Sequence, residues 1–420
     1  MNDLILIVGG GPAGYGSALA FHNNGYKNIV VVEGRPDMNF DLENSYPVGL
    51  NVRGKNSMKY LFQKSDLAKE LDNLGLRVDE WKIIVGPNIN VANFQSGLVF
   101  GTSRAEVTQI LYQETQRRNG DIKILFDHKA KSCDMNKREV LCVNKAREEI
   151  IFKPKCLVAA DGYRSKIRES LVSQDSSLKV QQWPWLLKFR VLLSDVEPKT
   201  DLNPHIHYIQ NQIYTSKFAN GRWSAGISIK DNAPDFLSST DSSNSNVEAL
   251  RQYLKKLFPK CLDLFSSEEL KRYFSRSTFS GAVVKVSKLV IGDWAVLLGD
   301  AAHSAFPATG EGINSAVEDC MILQKSLEKT SSLEEGLKLF NTERIADANA
   351  LSDLAYAATR PTFKGSIQMM MLGLFKKFTG PSKEDLLFGK ESAFTKRYSE
   401  IVEHWKQQTN WLGGPNFPKE

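Results

Sequence analysis

Three glycines near the start of the chain have the spacing of a loop that holds a diphosphate. Gly9-x-Gly11-x-x-Gly14 stands between the apolar run Leu4–Val8, which predicts a buried strand, and a helical segment beginning at Ala13. Gly9 allows a tight turn, Gly11 lets the backbone approach a pyrophosphate, and Gly14 allows a close helix–strand contact. A diphosphate would then lie on free N–H groups at the positive end of the helix. The spacing therefore predicts a dinucleotide site on a βαβ unit.

A carboxylate at the end of the next predicted strand narrows the nature of that ligand. Glu33 ends the apolar strand Ile29–Glu33, 19 residues after Gly14. A carboxylate at this position accepts hydrogen bonds from ribose hydroxyls, and it would repel a 2′-phosphate. We therefore predict an adenosine ribose without a 2′-phosphate at this end of the site, with Gly34 and Arg35 beside it.

Two further motifs follow predicted buried strands much later in the chain. Asp161-Gly162 comes directly after the strand Cys156–Ala160, and Gly299-Asp300 comes directly after an apolar run that ends at Leu298. The loop and helix start that follow contain Pro307, Gly310, Gly312, Ile313 and Asn314. The nucleotide lobe is therefore predicted to be assembled from three separated pieces of the chain.

The order of the three motifs, GxGxxG, then DG, then GD, resembles that of a known enzyme class. It is the pattern of the single-component (class A) FAD-dependent aromatic monooxygenases, and the resemblance covers roughly residues 1–360. Within that class, the segment from Gly299 to Cys320 is similar to the flavin loop of the kynurenine 3-monooxygenase family. The later helical segment from Ala346 to Ala355 is similar to that family as well. The resemblance implies that the bound cofactor is FAD.

The resemblance, supported by local physics, implies roles for individual residues. Asp300 would accept hydrogen bonds from ribityl hydroxyls, and the N–H groups of Gly310–Asn314 would stabilise negative charge on the reduced flavin. Arg104 matches an arginine that contacts the FAD phosphates or ribityl chain, and Arg53 lies in the stretch beside the flavin. The predicted FAD contacts are Gly9, Gly11, Pro12, Ala13, Gly14, Glu33, Gly34, Arg35, Arg53, Arg104, Asp161, Gly162, Gly299, Asp300, Gly312, Ile313 and Asn314. Because the flavin does the chemistry, no catalytic acid–base pair is predicted. Pro307, Gly310 and Gly312 are predicted to shape the flavin loop. His303, on the same loop, is predicted to lie around the cofactor without a catalytic role.

The resemblance also implies a reaction. NADPH or NADH would reduce FAD, which would react with O₂ to a C4a-hydroperoxide and hydroxylate an electron-rich aromatic, either kynurenine-like or otherwise tryptophan-derived. The chain has one dinucleotide fingerprint, so NAD(P)H is expected to bind transiently at the surface. Arg164 and Arg168 either meet its phosphates or begin a solvated helix.

The substrate side departs from the family pattern. The kynurenine hydroxylases hold the substrate carboxylate with an Arg and a Tyr, but the corresponding stretch Trp81–Phe100 contains neither, and Lys82 is its only cation. A bulkier or less acidic aromatic therefore fits as well as kynurenine does. Four aromatic residues on predicted strands either line the substrate pocket or pack in the core: Tyr208, Tyr214, Phe218 and Trp223.

Other functions are open. Trp183-Pro184-Trp185 resembles the W-x-W-x-x-P stretch of flavin halogenases, but the closing proline is missing; a halogenase or epoxidase is the alternative on the same fold. A catalytically idle flavin-binding protein is a further one. His205 and His207 stand two apart on a predicted strand without an evident third ligand, so we predict surface residues and no metal site.

Alternation of apolar residues places a second lobe between the pieces of the first. The pattern of Trp183 to Val191, and a hairpin around Asn220-Gly221 with a type I′ turn, predict an antiparallel sheet. Ser238–Asn246 predicts a mobile surface loop. The fold class is thus α/β: a Rossmann-type FAD-binding domain with an inserted antiparallel β-sheet substrate domain and a helical C-terminus. The boundaries are 1–75, 101–178 and 286–345 for the first, 76–100 and 179–285 for the second, and 346–420 for the third.

Composition fits such an enzyme. The 420 residues are 42% hydrophobic with a net charge of +6, a weak bias that suits anionic small ligands and does not call for nucleic acid. Five cysteines without C-x-x-C spacing favour a reducing compartment, so a cytoplasmic location is expected. Ile367–Phe375 predicts a packed or oligomer-facing helix, or one lying on a membrane surface.

Overall fold

A computed structural model describes residues 3–38, 45–63, 65–86, 89–118, 120–211, 213–359, 396–409 and 417. The strands of this part are β1 (Ile5–Val8), β2 (Ile29–Val32), β3 (Pro47–Asn51), β4 (Leu76–Val85), β5 (Ile89–Ser103), β6 (Ile122–Leu125), β7 (Lys129–Asp134), β8 (Glu139–Val143), β9 (Glu149–Phe152), β10 (Cys156–Ala159), β11 (Val180–Pro184), β12 (Leu187–Val196), β13 (Ile206–Gln210), β14 (Ile213–Lys217), β15 (Arg222–Lys230), β16 (Ala282–Val286), β17 (Val290–Ile291) and β18 (Ala295–Leu297). Its α-helices are α1 (Pro12–Asn23), α2 (Val52–Phe62), α3 (Leu67–Glu70), α4 (Arg104–Gln116), α5 (Lys166–Gln174), α6 (Asn244–Leu257), α7 (Pro259–Leu262), α8 (Ser267–Arg272), α9 (Asp300–His303), α10 (Gly312–Glu328), α11 (Leu333–Thr359) and α12 (Tyr398–Thr409).

The first lobe is built on a six-stranded sheet in the order β17-β18-β10-β1-β2-β6. Its pairs are parallel except β17 with β18. Every residue of β1 and β10 is buried, as continuous apolar runs require when helices cover both faces of a parallel sheet. Because β1, β2, β10 and β18 run the same way, the segments that follow them meet at one edge. Ligands bind at that edge in open α/β sheets.

The second lobe is a seven-stranded sheet in the order β12-β15-β14-β13-β4-β5-β3. Its pairs are antiparallel except β13 with β4. One face packs on helices α6, α7 and α8 through a core that includes Tyr208, Trp223, Leu254 and Leu270. This architecture confirms the predicted α/β fold class with an inserted, largely antiparallel sheet.

The segment boundaries of the lobes stay a prediction, and several elements do not follow them. Strands β5 and β16 run across the boundaries at 100/101 and 285/286. Strand β3 lies in the predicted piece 1–75, yet it pairs with β5 in the second sheet. Helix α11 runs without a break through the boundary at 345/346.

Three local predictions were wrong. The alternating residues from Trp183 to Val191 are predicted to share one face of a single strand, but they belong to two strands, because β11 pairs with β16 in a separate sheet. Asn220 is not among the described residues with positive φ, so the hairpin turn at Gly221 is not type I′. The predicted loop Ser238–Asn246 is not a loop throughout, because α6 begins at Asn244. Just before the helix, Asp241 accepts a hydrogen bond from Ser243 N at 3.0 Å.

The C-terminal part is helical where it is described. Helix α12 packs against α11, and Tyr398 and Val402 join a cluster that contains Phe306 and Leu351. The segment Ile367–Phe375 lies outside the described residues, so its role at a membrane or an oligomer contact stays a prediction. Among the helices that the structure describes, none is long and apolar enough to cross a membrane.

Candidate functional site

The glycine loop between β1 and α1 has the backbone that its spacing predicts. Gly9 has φ 103, and a Cβ there would lie 2.4 Å from the carbonyl oxygen of Ala160. A Cβ on Gly14 would lie 1.8 Å from the carbonyl oxygen of Gly9, so the helix start touches the loop directly. At Gly11, no atom of the described residues lies within 4 Å of the position of a Cβ. Helix α1 begins after Gly11 without a side-chain cap, which leaves its first N–H groups to a ligand.

A cleft of about 650 Å³ opens at this edge of the first sheet. Arginine and lysine outnumber carboxylates in its wall by five to two, which suits a diphosphate. The lining residues are Val8, Gly9, Gly10, Gly11, Val32, Glu33, Gly34, Arg35, Ser45, Arg104, Ala105, Thr108, His128, Lys129, Ala130, Ala160, Asp161, Gly162, Arg164 and Lys166. Of the predicted FAD contacts, the structure brings Gly9, Gly11, Glu33, Gly34, Arg35, Arg104, Asp161 and Gly162 together here.

Glu33 closes one end of the cleft. Its carboxylate accepts hydrogen bonds from Gly10 N at 2.6 Å and Arg35 N at 2.8 Å, and it pairs with the Arg35 guanidinium at 3.1 Å. Burial would raise the pKa of Glu33, but the Arg35 charge and these donors outweigh it and lower the pKa. Glu33 is therefore a carboxylate at neutral pH, available to ribose hydroxyls.

We expect Glu33→Gln to weaken FAD binding about ten-fold, close to 1.4 kcal/mol. The amide replaces one acceptor oxygen with a donor that faces two N–H groups and a guanidinium. The measurement is the dissociation constant of FAD from the reconstituted apoprotein, followed by flavin fluorescence. Glu149→Gln, on the exposed strand β9, is the control. An unchanged constant for Glu33→Gln would remove this residue from the site.

In the Asp161-Gly162 motif, the two carboxylate oxygens of Asp161 have different surroundings. Asp161 Oδ2 accepts a hydrogen bond from Lys166 N at 2.8 Å and so caps helix α5, while Oδ1 is buried without a hydrogen-bond partner among the described residues. Burial raises the pKa of Asp161. A buried acceptor without a partner is costly, and a cofactor hydroxyl would satisfy it.

Arg164 and Arg168 differ in what they can do. Arg168 is buried and donates to the carbonyls of Ala301 and Tyr163 at 2.8 and 2.6 Å, so a role on NAD(P)H phosphates is wrong for it. Arg164 is exposed in the cleft wall, where both a solvated residue and a phosphate contact stay open.

The Gly299-Asp300 motif lies against the glycine loop. Gly299 has φ 56, and a Cβ there would lie 2.9 Å from the Cβ of Ala13, so the two motifs touch. Asp300, the first residue of α9, is exposed. The Tyr46 hydroxyl, Asp300 and Glu33 raise the pKa of Arg104, although burial opposes them, so this guanidinium is near enough to both carboxylates to interact with them. The contact of Arg104 with the FAD phosphates or the ribityl chain stays a prediction.

The flavin loop ends at the start of helix α10. Gly310 has φ 67, and Glu311 gives the helix no side-chain cap, so the N–H groups of Gly312 and Ile313 stand at an open helix start. The Asn314 side chain donates to the carbonyls of Gly49 and Gly310 at 2.9 and 2.8 Å. Its Oδ1 accepts from Asn51 N at 3.1 Å. Asn314 therefore has only its backbone to offer a cofactor. Pro307 is exposed on the same loop.

Arg53 is engaged largely within the protein. Its side chain is buried, donates to Glu318 at 2.5 Å and to the carbonyl of Lys396, and lies 4.1 Å over the Tyr398 ring. This guanidinium therefore ties α2 to α10 and α12. Its Nε has no hydrogen-bond partner among the described residues, and the contact between Arg53 and the flavin stays a prediction.

A buried charged network lies behind the flavin loop and was missed by the sequence analysis. Arg344 is fully buried and donates to Asp319 and Glu318, both at 2.7 Å. Asp319 also accepts from Gly299 N at 2.8 Å and pairs with His303 at 2.7 Å. Although burial opposes them, His303 and Arg344 lower the pKa of Asp319. The available signal was the position of Arg344 on the apolar face of its helix.

The four predicted substrate residues divide between the two faces of the second sheet. Tyr208 and Trp223 point into the core with helices α6–α8, so a place in the substrate pocket is wrong for them. Tyr214 and Phe218 are on the opposite face, where Phe218 packs with Phe189 and Tyr46. His207, which was predicted to lie on the surface, is 1% exposed and contacts Tyr214.

Comparison with known proteins identifies the family of the chain. The family described as "FAD binding domain" matches residues 3–355. Kynurenine 3-monooxygenase of Caenorhabditis briggsae is 22% identical to this chain, over 97% of this chain and 93% of that protein. The chain therefore belongs to the FAD-binding domain family. It is an FAD-dependent monooxygenase, which confirms the predicted class and bound cofactor.

Solved structures share the fold at low identity. A 2-methyl-3-hydroxypyridine-5-carboxylic acid oxygenase superposes with a TM-score of 0.67 at 19% identity, covering 85% of this chain and 91% of that one. PqsL of Pseudomonas aeruginosa, solved with 2-aminobenzoylacetate, has a TM-score of 0.67 at 18% identity and covers 89% and 99%.

Proposed function

We propose that the protein uses NAD(P)H and O₂ to hydroxylate an aromatic small molecule, kynurenine-like or otherwise derived from tryptophan. The observation that carries the proposal is the meeting of three cofactor motifs at one sheet edge, with an aromatic cluster next to them. Tyr46 is close enough to Arg104 and Asp300 to interact with them electrostatically, and its ring lies 5.7 Å from Phe189 and 5.1 Å from Phe279. The ring of an aromatic substrate can pack on such a surface.

Each part of the site has a task in this proposal. Bound FAD supplies hydride acceptance from NAD(P)H and the activation of O₂. The cation-rich cleft and the start of α1 bind the diphosphate, and Glu33 binds the adenosine ribose. The N–H groups of Gly312 and Ile313 stabilise negative charge on the reduced flavin, so this task does not require a lysine or an arginine. The apolar residues Phe189, Phe218 and Phe279 exclude water from the substrate side.

The relatives inform the choice of aromatic probes. The curated relative acts as a kynurenine 3-monooxygenase, and PqsL was solved with a molecule that carries the same 2-aminobenzoyl group as kynurenine. Kynurenine and other 2-aminobenzoyl or indole compounds are therefore the first compounds to test.

The purified protein is expected to be yellow, to hold about one FAD per chain, and to oxidise NADPH or NADH faster when the right aromatic is present. Oxidation is followed by absorbance at the nicotinamide band, and mass spectrometry of the product is expected to show one added oxygen. FAD-loaded protein whose flavin is bleached by neither nucleotide in the presence of any aromatic would instead support the idle flavin-binding alternative.

The two tryptophans of the halogenase-like stretch both pack on aromatic side chains. Trp183 packs at 4.7 Å on Tyr356, and Trp185 packs at 5.7 Å on Phe306. These contacts make both tryptophans part of the packing beside the flavin loop. Product formation in buffers with and without chloride or bromide, and with an alkene substrate, separates halogenation and epoxidation from hydroxylation.

A further inference from the structure

Three aromatic side chains form a group on the sheet face opposite to helices α6–α8. His207 on β13 and Trp81 on β4 are register partners, with ring centroids 4.8 Å apart. Tyr214 on β14 stacks on Trp81 at 5.9 Å, and its hydroxyl lies 2.7 Å from His207 Nδ1. We call Trp81, His207 and Tyr214 the aromatic triad.

The triad lies on the face of the sheet that is turned toward the flavin loop. Trp81 packs against a small cluster with Val52, the first residue of α2. The preceding residue, Asn51, donates through its side chain to Glu311 of the flavin loop at 2.9 Å. Residues that alternate with the triad, such as Tyr208, point instead into the core with the helices. The alternation of a strand thus assigns the triad to the substrate side.

One ring nitrogen of His207, Nε2, makes no hydrogen bond to the described residues. The residue is 1% exposed, and its Nε2 is buried without a hydrogen-bond partner among the described residues. Burial lowers the pKa of His207 to about 3, so the ring is neutral at physiological pH. Gly101 stands next to this atom, and a Cβ there would lie 2.9 Å from Nε2. Gly101 is thus packed against the imidazole, and a larger residue at 101 would have to displace the ring.

Two cationic residues near the triad, Lys82 and Arg53, form ion pairs with other residues. Lys82 alternates with Trp81 and so lies on the opposite face, where it pairs with Glu80 at 3.6 Å. Arg53 is bound to Glu318 behind the flavin loop. A carboxylate brought against a neutral histidine, a tryptophan and a tyrosine would lose its hydration without gaining an opposite charge.

We propose that His207 Nε2 forms a hydrogen bond with an uncharged polar group of the substrate, and that the aromatic triad makes this enzyme selective for neutral aromatics over aromatic acids and amino acids. The inference rests on the proposed function, since it names the substrate class of the same site. Tyr214 holds the imidazole through Nδ1, and which of the two nitrogens carries the proton is set by the substrate group that Nε2 meets.

The test compares matched neutral and charged probes on the FAD-loaded protein. Indole-3-acetamide is compared with indole-3-acetate, and 2-aminoacetophenone with kynurenine. Binding is measured by the change in flavin fluorescence, and turnover by NAD(P)H oxidation. The neutral member of at least one pair is expected to bind about ten-fold tighter, the effect of one hydrogen bond together with the avoided burial of a charge.

Two variants give the triad a distinct signature. His207→Leu is expected to raise the KM for the neutral probe about ten-fold with a smaller change in kcat, and His207→Gln is expected to recover part of the loss. Trp81→Arg adds a cation on the same face and is expected to shift the preference toward the carboxylate member of each pair. His205→Leu, two residues away and half-buried, is the matched control and leaves both constants unchanged. FAD content reports whether each variant is folded.

The outcomes separate the inference from the function on which it rests. A preference for neutral probes that His207→Leu removes supports the inference. A preference for the acids, no preference, or a preference unchanged in His207→Leu and in Trp81→Arg overturns the inference and leaves hydroxylation standing. FAD-loaded protein that binds none of the four probes, and whose NAD(P)H oxidation no aromatic stimulates, overturns both.

Discussion

Replacing Arg344 by methionine is expected to lower the free energy of unfolding by about 3–5 kcal/mol. The Arg344 side chain is 0% exposed and donates to Asp319, Glu318 and Ser315. Methionine fills much of the volume but removes the cation that Glu318 and Asp319 share, so that Glu318 keeps only Arg53 and Asp319 keeps only His303. The loss follows from these under-compensated buried carboxylates more than from the strength of the ion pairs themselves. Urea unfolding of the FAD-loaded protein, followed by circular dichroism, measures the change.

A matched surface pair shows that burial is the cause. Lys329 pairs with Glu343 at 2.9 Å with side chains 57% and 34% exposed, and Lys329→Met is expected to cost under about 1 kcal/mol. The double variant Arg344→Met and Asp319→Asn should regain part of the stability lost by Arg344→Met, because it removes one buried carboxylate while Glu318 keeps its pair with Arg53. An Arg344→Met protein as stable as the parent would contradict the role of this network.

The cofactor end of the site could be predicted because its requirements are local. A tight turn at Gly9, an open position at Gly11 and a close contact at Gly14 are each set by backbone geometry within a few residues. The apolar strands before Gly9, Asp161 and Asp300 run parallel, so their ends meet without any long-range information beyond strand direction.

The roles of Arg53 and Arg344 depend on partners far along the chain. Arg53 meets Glu318, and whether an arginine in such a loop meets a cofactor or a buried carboxylate is decided by tertiary packing alone. Tyr398, which covers Arg53, comes from beyond the stretch on which the family resemblance was based. No local pattern distinguishes these possibilities.

The substrate side was predicted less well for a geometric reason. Side chains alternate between the two faces of a strand, so the side chains of neighbouring residues such as His207 and Tyr208 point to opposite faces of the sheet. Aromatic content alone could not show which face packs on helices α6–α8. The structure resolves this, since Tyr208 joins that core while His207 and Tyr214 face the flavin side.

Replacing Gly14 by alanine is expected to weaken FAD binding at least about 100-fold, near 2.7 kcal/mol, and to destabilise the apoprotein as well. The added Cβ would lie 1.8 Å from the carbonyl oxygen of Gly9, and both groups belong to the backbone. The loop and the start of α1 must therefore separate by more than 1 Å, which displaces the N–H groups that bind the diphosphate. Reconstitution of the apoprotein with FAD, together with thermal unfolding of the apoprotein, measures both effects.

Gly11→Ala is the informative contrast, because the same substitution three residues earlier meets no protein atom. Gly11 has φ −94 and ψ −174, a conformation that alanine adopts freely, and no atom lies within 4 Å of its Cβ position. The apoprotein of Gly11→Ala should therefore unfold like the parent, while FAD binds more weakly because the methyl group projects into the cleft that Gly11 lines. Loss of FAD binding with an intact apoprotein at Gly11, and loss of both at Gly14, would separate contact with the ligand from support of the loop. Equal effects at the two positions, or FAD binding unchanged at both, would show that the diphosphate does not lie on this loop.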